Sequence, residues 1–133
     1  MPSIFTKIIN GEIPSYKVAE SELYYAFLDI NPLMKGHTLV IPKVEVDYLF
    51  DLDDDTYNGL FAFTKKVSHA IKSVISCERI GVVVMGMEVP HAHIHLIPIN
   101  KMSDMDFTKS KLYLESDEMQ KITQNIKSSF DLG

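Results

Sequence analysis

The chain has 133 residues, of which 46% are hydrophobic and 23% charged, with a formal net charge of −5. That is enough chain for one ordinary globular domain, expected here to span 1–133. The acidic balance argues against a nucleic-acid binder, which needs a basic surface, and the lone Cys77 excludes an internal disulfide or a thiolate metal site. No apolar run approaches the roughly 20 residues of a membrane span, and the N-terminal residues lack a signal-peptide pattern, so a cytoplasmic location and no membrane partner are expected.

Ser3 is placed to cap a short helix over 4–10, with Gly11 as its left-handed stop. After Ile13-Pro14 the chain reads as extended near 16–19, and again over 23–29 beyond a polar turn at 20–22. Asn31-Pro32 and Lys35-Gly36 mark a connection, followed by a third strand over 37–41 that Pro42 halts. The clearest helix runs over 53–75, opened by three aspartates and carrying Tyr57, Leu60, Phe61, Val67, Ile71 and Val74 as its apolar stripe. Lys65, Lys66, His69 and Lys72 fall on its opposite face, which reads as solvated. The β-branched run within 79–85 predicts a central strand, and 89–99 a further strand after Gly86. From Asn100 the chain reads as loop until a capped helix over 116–130, with Met119, Ile122, Ile126 and Phe130 as its stripe. Consecutive strands joined by short turns predict an α+β fold, an antiparallel sheet with helices packed on it.

The chemistry concentrates in Pro90-His91-Ala92-His93-Ile94-His95-Leu96-Ile97-Pro98, which holds three of the chain's five histidines. Strict alternation in a strand puts the three imidazoles on one face and Ala92, Ile94 and Leu96 on the other. Two chemistries suit such a row. Neutral imidazoles can share a zinc or copper ion, with Glu88, Asp104 or Asp106 as nearby carboxylates. Alternatively, an imidazole that is mostly neutral at pH 7 can attack phosphorus while a neighbour holds the phosphate oxygens. No glycine-rich phosphate loop competes for the role, because Gly36, Gly81 and Gly86 form neither GxGxxG nor a P-loop.

Residues 91–97 match the signature His-φ-His-φ-His-φ-φ, where φ is apolar, and the chain thereby resembles the histidine-triad (HIT) family. Three further blocks match in order: 4–14, Ala26-Phe-Leu-Asp-Ile-Asn-Pro32 and Gly36-His-Thr-Leu-Val-Ile-Pro-Lys43. The match covers about residues 4–99, with a C-terminal extension carrying the last helix, and is most like the nucleoside-phosphoramidate-hydrolase branch. The resemblance implies a five-stranded antiparallel sheet with a long helix and a C-terminal helix. It also implies a homodimer joined through the long helix and a neighbouring strand.

By the same resemblance the substrate is a purine nucleotide, cleaved as a phosphoramidate, adenylate or dinucleotide polyphosphate through a nucleotidyl-histidine, without a cofactor. His93 would be the nucleophile, His95 the phosphate contact, and His91 and His37 supports for the nucleophile's orientation. Asp29 would accept hydrogen bonds from the ribose hydroxyls. Phe5, Ile8, Ile13, Phe27 and Ile30 would wall the base, with Glu88 and Val89 also in contact with the nucleotide.

Two departures qualify the match. Many bacterial relatives build a zinc site from two N-terminal cysteines, a histidine after the Pro-Lys step and the first triad histidine. Here Ser3, Thr6 and Glu45 stand at those places beside His91, so no metal is expected. The loop before the triad, 84–89, is shorter than usual, with Met87 in the place of a glutamine and Glu88 where a phosphate-contacting serine can occur. Glu88 would repel a phosphate if it faced it, or serve as proton donor to a leaving group. That loop also admits a nucleotide-binding module with little or no turnover.

Overall fold

The structure, a computed structural model, describes residues 2–130; Met1 and residues 131–133 of the expected domain lie outside them. Helix α1 (Ile4–Ile9) begins at Ser3, whose side chain accepts the N–H of Thr6, and Gly11 follows at φ +81, a conformation that glycine adopts without steric cost. Strands β1 (Lys17–Glu20), β2 (Tyr24–Leu28) and β3 (Thr38–Pro42) come next, then helix α2 (Asp54–Val74). Strands β4 (Arg79–Val83) and β5 (Ile94–Ile99) complete the sheet, and helix α3 (Ser116–Ser129) ends the described chain. The five strands form one antiparallel sheet in the order β1-β2-β3-β5-β4, the expected α+β architecture. No helix among the described residues is long and apolar enough to cross a membrane.

The period of two along each strand sorts side chains between two covered faces. Ala26, Leu28, Val40, Ile94 and Leu96 meet Leu60, Val67 and Ile71 of α2 and Met119, Ile122 and Ile126 of α3 in the main core. Tyr25, Phe27, Leu39 and Ile41 point the other way and pack with Phe5 of α1. Every residue of β2 and β3 is therefore buried, as in sheets covered on both sides. Helix α2 is capped by Asp53, which accepts the N–H of Thr56 at 2.7 Å, with Asp54 and Asp55 in its first turn. Gly59 lies within it because the Tyr24 hydroxyl, donating to Thr56 O at 3.0 Å, occupies the space that a Cβ would need.

Several expectations need correction. The run 79–85 is not a central strand: β4 stands at the sheet edge, with Val82 54% exposed, because β-branched composition reports apolarity and not the number of neighbouring strands. The histidine strand starts at Ile94 rather than Val89, where pairing with β3 begins (Val40 opposite Ile94). On α2 the stripe is wider than expected: Phe63, Thr64 and Ala70 are buried with Leu60, Val67 and Ile71, while Tyr57, Phe61 and Val74 are partly buried and pack against the same core. Helix α3 has Glu115 at its N-cap position with no side-chain cap, and Ser116 is its first helical residue. Pro42 closes β3 from inside the strand, and the segment after Asn100 contains a 3-10 turn over Met102–Met105.

Candidate active site

The three histidines emerge on the α1 face of the sheet, opposite Ala92, Ile94 and Leu96, as alternation requires. Their rings are not equivalent, because each is held by a different partner. His93 Nδ1 lies 2.8 Å from the carbonyl oxygen of His91. A carbonyl only accepts, so the proton sits on Nδ1 and Nε2 keeps its lone pair. The edge of the Phe5 ring packs on His93 with centroids 5.0 Å apart.

His95 is fixed through His37. The backbone N–H of Leu33 donates to His37 Nδ1 at 3.0 Å, which leaves the His37 proton on Nε2. That Nε2–H donates to His95 Nδ1 at 3.0 Å and so puts the His95 proton on its own Nε2. Both rings are neutral at pH 7. Burial, then repulsion from a protonated His95 and from Lys111, pushes His37 down to about 3; burial, then His93, pushes His95 down to about 4. Among the described residues neither His93 Nε2 nor His95 Nε2 has a protein partner, and no buried side-chain N or O lacks one. Both atoms are therefore open to the cleft.

His91 lies behind this pair and does not line the cleft. Its Nε2 donates to Pro42 O at 2.8 Å, and its Nδ1 accepts from Ser3 Oγ at 2.8 Å. Burial lowers its pKa. Ser3, Thr6 and Glu45 do gather around it, but as a hydrogen-bond network: Glu45 Oε1 accepts from Ser3 N at 2.7 Å and from Thr6 Oγ1 at 2.5 Å. These contacts, Ser3 N–H first, hold the exposed Glu45 carboxyl below its usual range. His91 thus supports His93 through its main-chain carbonyl, whereas His37 contacts His95 and not His93.

Asp29, at the end of β2, has a side chain 21% exposed. Its Oδ1 accepts the N–H of Asn31 at 2.8 Å, and its Oδ2 stands 3.6 Å from His37 Nε2. Burial raises its pKa, with the charge of Glu88 acting in the same direction and the Asn31 N–H opposing. Asp29, His37 and His95 are one group whose donor atoms fall within 4.8 Å of one another. They fit a metal poorly, since the Leu33 N–H occupies Nδ1 of His37 and the proton on Nε2 blocks ligation.

A cleft of about 630 Å³ collects Phe5, Ile8, Ile13, Phe27, Asp29, Ile30, His37, Glu88, Val89, His93 and His95. Of the residues given a catalytic or nucleotide-binding role by the resemblance, only His91 stands outside its lining. The sequence reading missed Phe107 and Lys111, which reach the cleft from the segment after β5. Phe107 packs edge-on against His95 at 5.1 Å. The one available signal was an isolated aromatic in a polar stretch, which does not reveal where that stretch folds back. A second hollow of about 580 Å³ lies beside β4, lined by Tyr48, Phe50, Tyr57, Phe61 and Val82 among others, and touches Met85, Gly86, Met87 and His93.

A five-stranded α+β domain presents an unprotonated Nε2 beside an Nε2–H donor in a largely apolar cleft, a histidine-bearing pocket. The HIT domain model matches residues 10–102, and the chain belongs to the HIT family. It is 42% identical over 131 residues to a HIT-like protein of Borreliella burgdorferi, covering 92% of this chain and 94% of that one. It is 40% identical over 96 residues to an adenosine 5′-monophosphoramidase of Saccharomyces cerevisiae, covering 71% of this chain and 61% of that one. Among solved structures, a HIT-like protein of Bartonella henselae superposes with a TM-score of 0.83 at 29% identity, covering 96% of each chain.

Proposed function

We propose that this chain is a nucleotide hydrolase that cleaves a purine nucleoside 5′-phosphate derivative at its α-phosphorus, with His93 as nucleophile. The observation that carries the reading is the bond from His93 Nδ1–H to His91 O, which presents the Nε2 lone pair to the cleft. In the first step a bond forms from Nε2 to phosphorus and the bond to the leaving group breaks. The leaving group keeps that electron pair and takes up a proton from solvent. The positive charge that develops on the His93 ring is met by the His91 carbonyl, and the His95 Nε2–H donates to a non-bridging oxygen. Water then attacks phosphorus, the P–N bond breaks with its pair returning to Nε2, and the extra proton leaves to solvent.

Asp29, acceptor-only when ionised, suits the ribose hydroxyls, and Phe5, Ile8, Ile13, Phe27 and Ile30 suit an apolar base. Glu88, exposed at the rim beside Val89, adds negative charge to the cleft, which favours an amine over an anionic leaving group. The name of the yeast relative makes a phosphoramidate the first substrate to try, ahead of an adenylate or a dinucleotide polyphosphate. The test is rapid acid-free quenching with labelled substrate. A phosphorus label on His93, absent in His93→Ala, is expected; turnover with no adduct, or no turnover of any of the three substrates, overturns the reading.

The proposal includes a homodimer and a cytoplasmic location. Among the described residues strand β4 leaves its outer edge unpaired, and Val82 (54% exposed), Tyr48 (59%) and Phe50 (65%) flank the hollow beside it. Light scattering should give twice the chain mass, and Val82→Asp should halve it. A monomeric wild type removes this part.

A further inference from the structure

The segment between β5 and α3, residues 100–115, is fastened at both ends across the site. At its start the buried Asp104 accepts, through Oδ2, the N–H groups of Asn100 at 2.8 Å and Lys101 at 3.2 Å. Near its end the N–H of Leu112 donates to Pro32 O at 2.8 Å, in the β2–β3 connection that follows Asp29. Between these anchors the Phe107 ring stands edge-on to His95 at 5.1 Å and to His37 at 6.2 Å. Lys111 lies over that ring, with Nζ 5.9 Å from its centroid, and donates to the carbonyls of Phe107 at 2.8 Å and Lys109 at 3.3 Å. An ammonium has three N–H donors, so one remains free.

The charge inventory of the cleft gives that donor a purpose. Its described lining holds two carboxylates, Asp29 and Glu88, and a single permanent cation, Lys111, while His37 and His95 are neutral at pH 7. A nucleotide brings further negative charge into this acidic surround. Lys111 lines the same cleft as Asp29 and stands over the Phe107 ring that packs on His95, so it shares the side of the cleft on which the His95 Nε2–H would meet a phosphate.

We propose that Lys111 is a phosphate-binding residue, delivered by the 100–115 strap to donate its free N–H to a non-bridging oxygen of the nucleotide α-phosphate. The inference deepens the hydrolase reading and rests on it. Because the contact is to the α-phosphate and not to the leaving group, it serves every substrate of that class alike. It also distinguishes a nucleotide from its nucleoside.

Calorimetry with AMP and with adenosine tests it on the wild type and on Lys111→Met, Lys111→Arg and Lys109→Met. A charge-assisted hydrogen bond from an exposed cation sets the scale, so Lys111→Met should weaken AMP by about tenfold and leave adenosine unchanged. Lys111→Arg should restore most of the loss. Lys109→Met, which removes an equal charge from an exposed lysine outside the cleft lining, should bind both ligands as the wild type does. In turnover, Lys111→Met should lower kcat/KM for a phosphoramidate and for a dinucleoside polyphosphate by the same factor. Equal AMP affinity in Lys111→Met overturns the proposal. Equal weakening of adenosine overturns it in favour of a purely structural strap, and a loss confined to polyphosphates overturns it in favour of a leaving-group contact. A wild type that binds no AMP removes the nucleotide reading itself, and this inference with it.

Discussion

The buried pair His37 and His95 should make the fold sensitive to mild acid. In the unfolded chain an imidazole titrates near 6.5, well above the values at which the folded pair takes up protons. In the folded chain His37 is held to about 3 and His95 to about 4. Both are bases with depressed folded values, so between these limits the unfolded state binds more protons and stability rises with pH. Their stabilisation is present above about pH 6.5 and is lost progressively as pH falls toward 4 and then 3. Going from pH 7 to pH 5 moves each unfolded imidazole from mostly neutral to almost fully protonated, about 1.4 pK units or about 2 kcal/mol apiece. The two rings are only 1% and 8% exposed, so solvent screens little of this. The pair therefore costs about 4 kcal/mol, a large share of the roughly 5–15 kcal/mol that stabilises a domain. His91, also lowered, adds in the same direction, whereas Asp29, raised, opposes by taking up a proton in the folded state. Urea denaturation at the two pH values, followed by far-UV circular dichroism, should show the midpoint falling by about 2 M. His37→Asn, which removes one titrating ring but keeps an acceptor for the Leu33 N–H, should retain about half of the pH slope. A wild type that loses less than about 1 kcal/mol, or a variant with an undiminished slope, would refute the neutral-pair reading.

Three substitutions probe the remaining architecture. His93→Ala should lower turnover by about 10⁴-fold, since the reaction loses its covalent route, while AMP still binds by calorimetry; residual turnover near wild type removes His93 from the chemistry. Asp29→Asn should weaken AMP by about tenfold yet bind 2′,3′-dideoxy-AMP as the wild type does, because only the ribose hydroxyls see the change; equal weakening of both ligands would assign Asp29 to something else. Gly59→Ala should destabilise by about 1–3 kcal/mol despite alanine's better helix propensity, because the new Cβ overlaps the Tyr24 hydroxyl. Thermal unfolding reads the loss, and adding Tyr24→Phe should recover part of it.

Strand identity and facing were legible because a period of two is written directly in residues such as Tyr25, Phe27, Leu39 and Ile41 against Ala26, Leu28 and Val40. What alternation does not encode is where a ladder begins and which strand lies outermost. The pattern of alternate histidines continues upstream of Ile94, although no β3 partner continues with it. Likewise Ile80, Val82, Val83 and Val84 are apolar whether they face another strand of the same chain or stand at an edge. The cleft was legible where its walls come from motif segments, namely α1, the end of β2 and the triad. It was not legible at Phe107 and Lys111, whose approach depends on a long-range bond from Leu112 to Pro32 that no local pattern announces.

The early start expected for the histidine strand bears on the chemistry itself. In a regular ladder, the carbonyl oxygen of His91 would point along the sheet toward a neighbouring strand and be consumed there. Because β5 begins only at Ile94, the chain bends over 87–91, with His91 N donating to Val89 O at 2.8 Å. The His91 carbonyl is then free to hold the ring of His93 two residues on. That bond reverses the polarity of the middle imidazole: His91 and His95 carry their protons on Nε2, His93 on Nδ1. Three alternating histidines thereby become one lone pair on His93 beside one donor on His95 that faces the cleft, with the His91 donor turned away to Pro42 O, and the difference comes from the break in the strand and not from the residues in it.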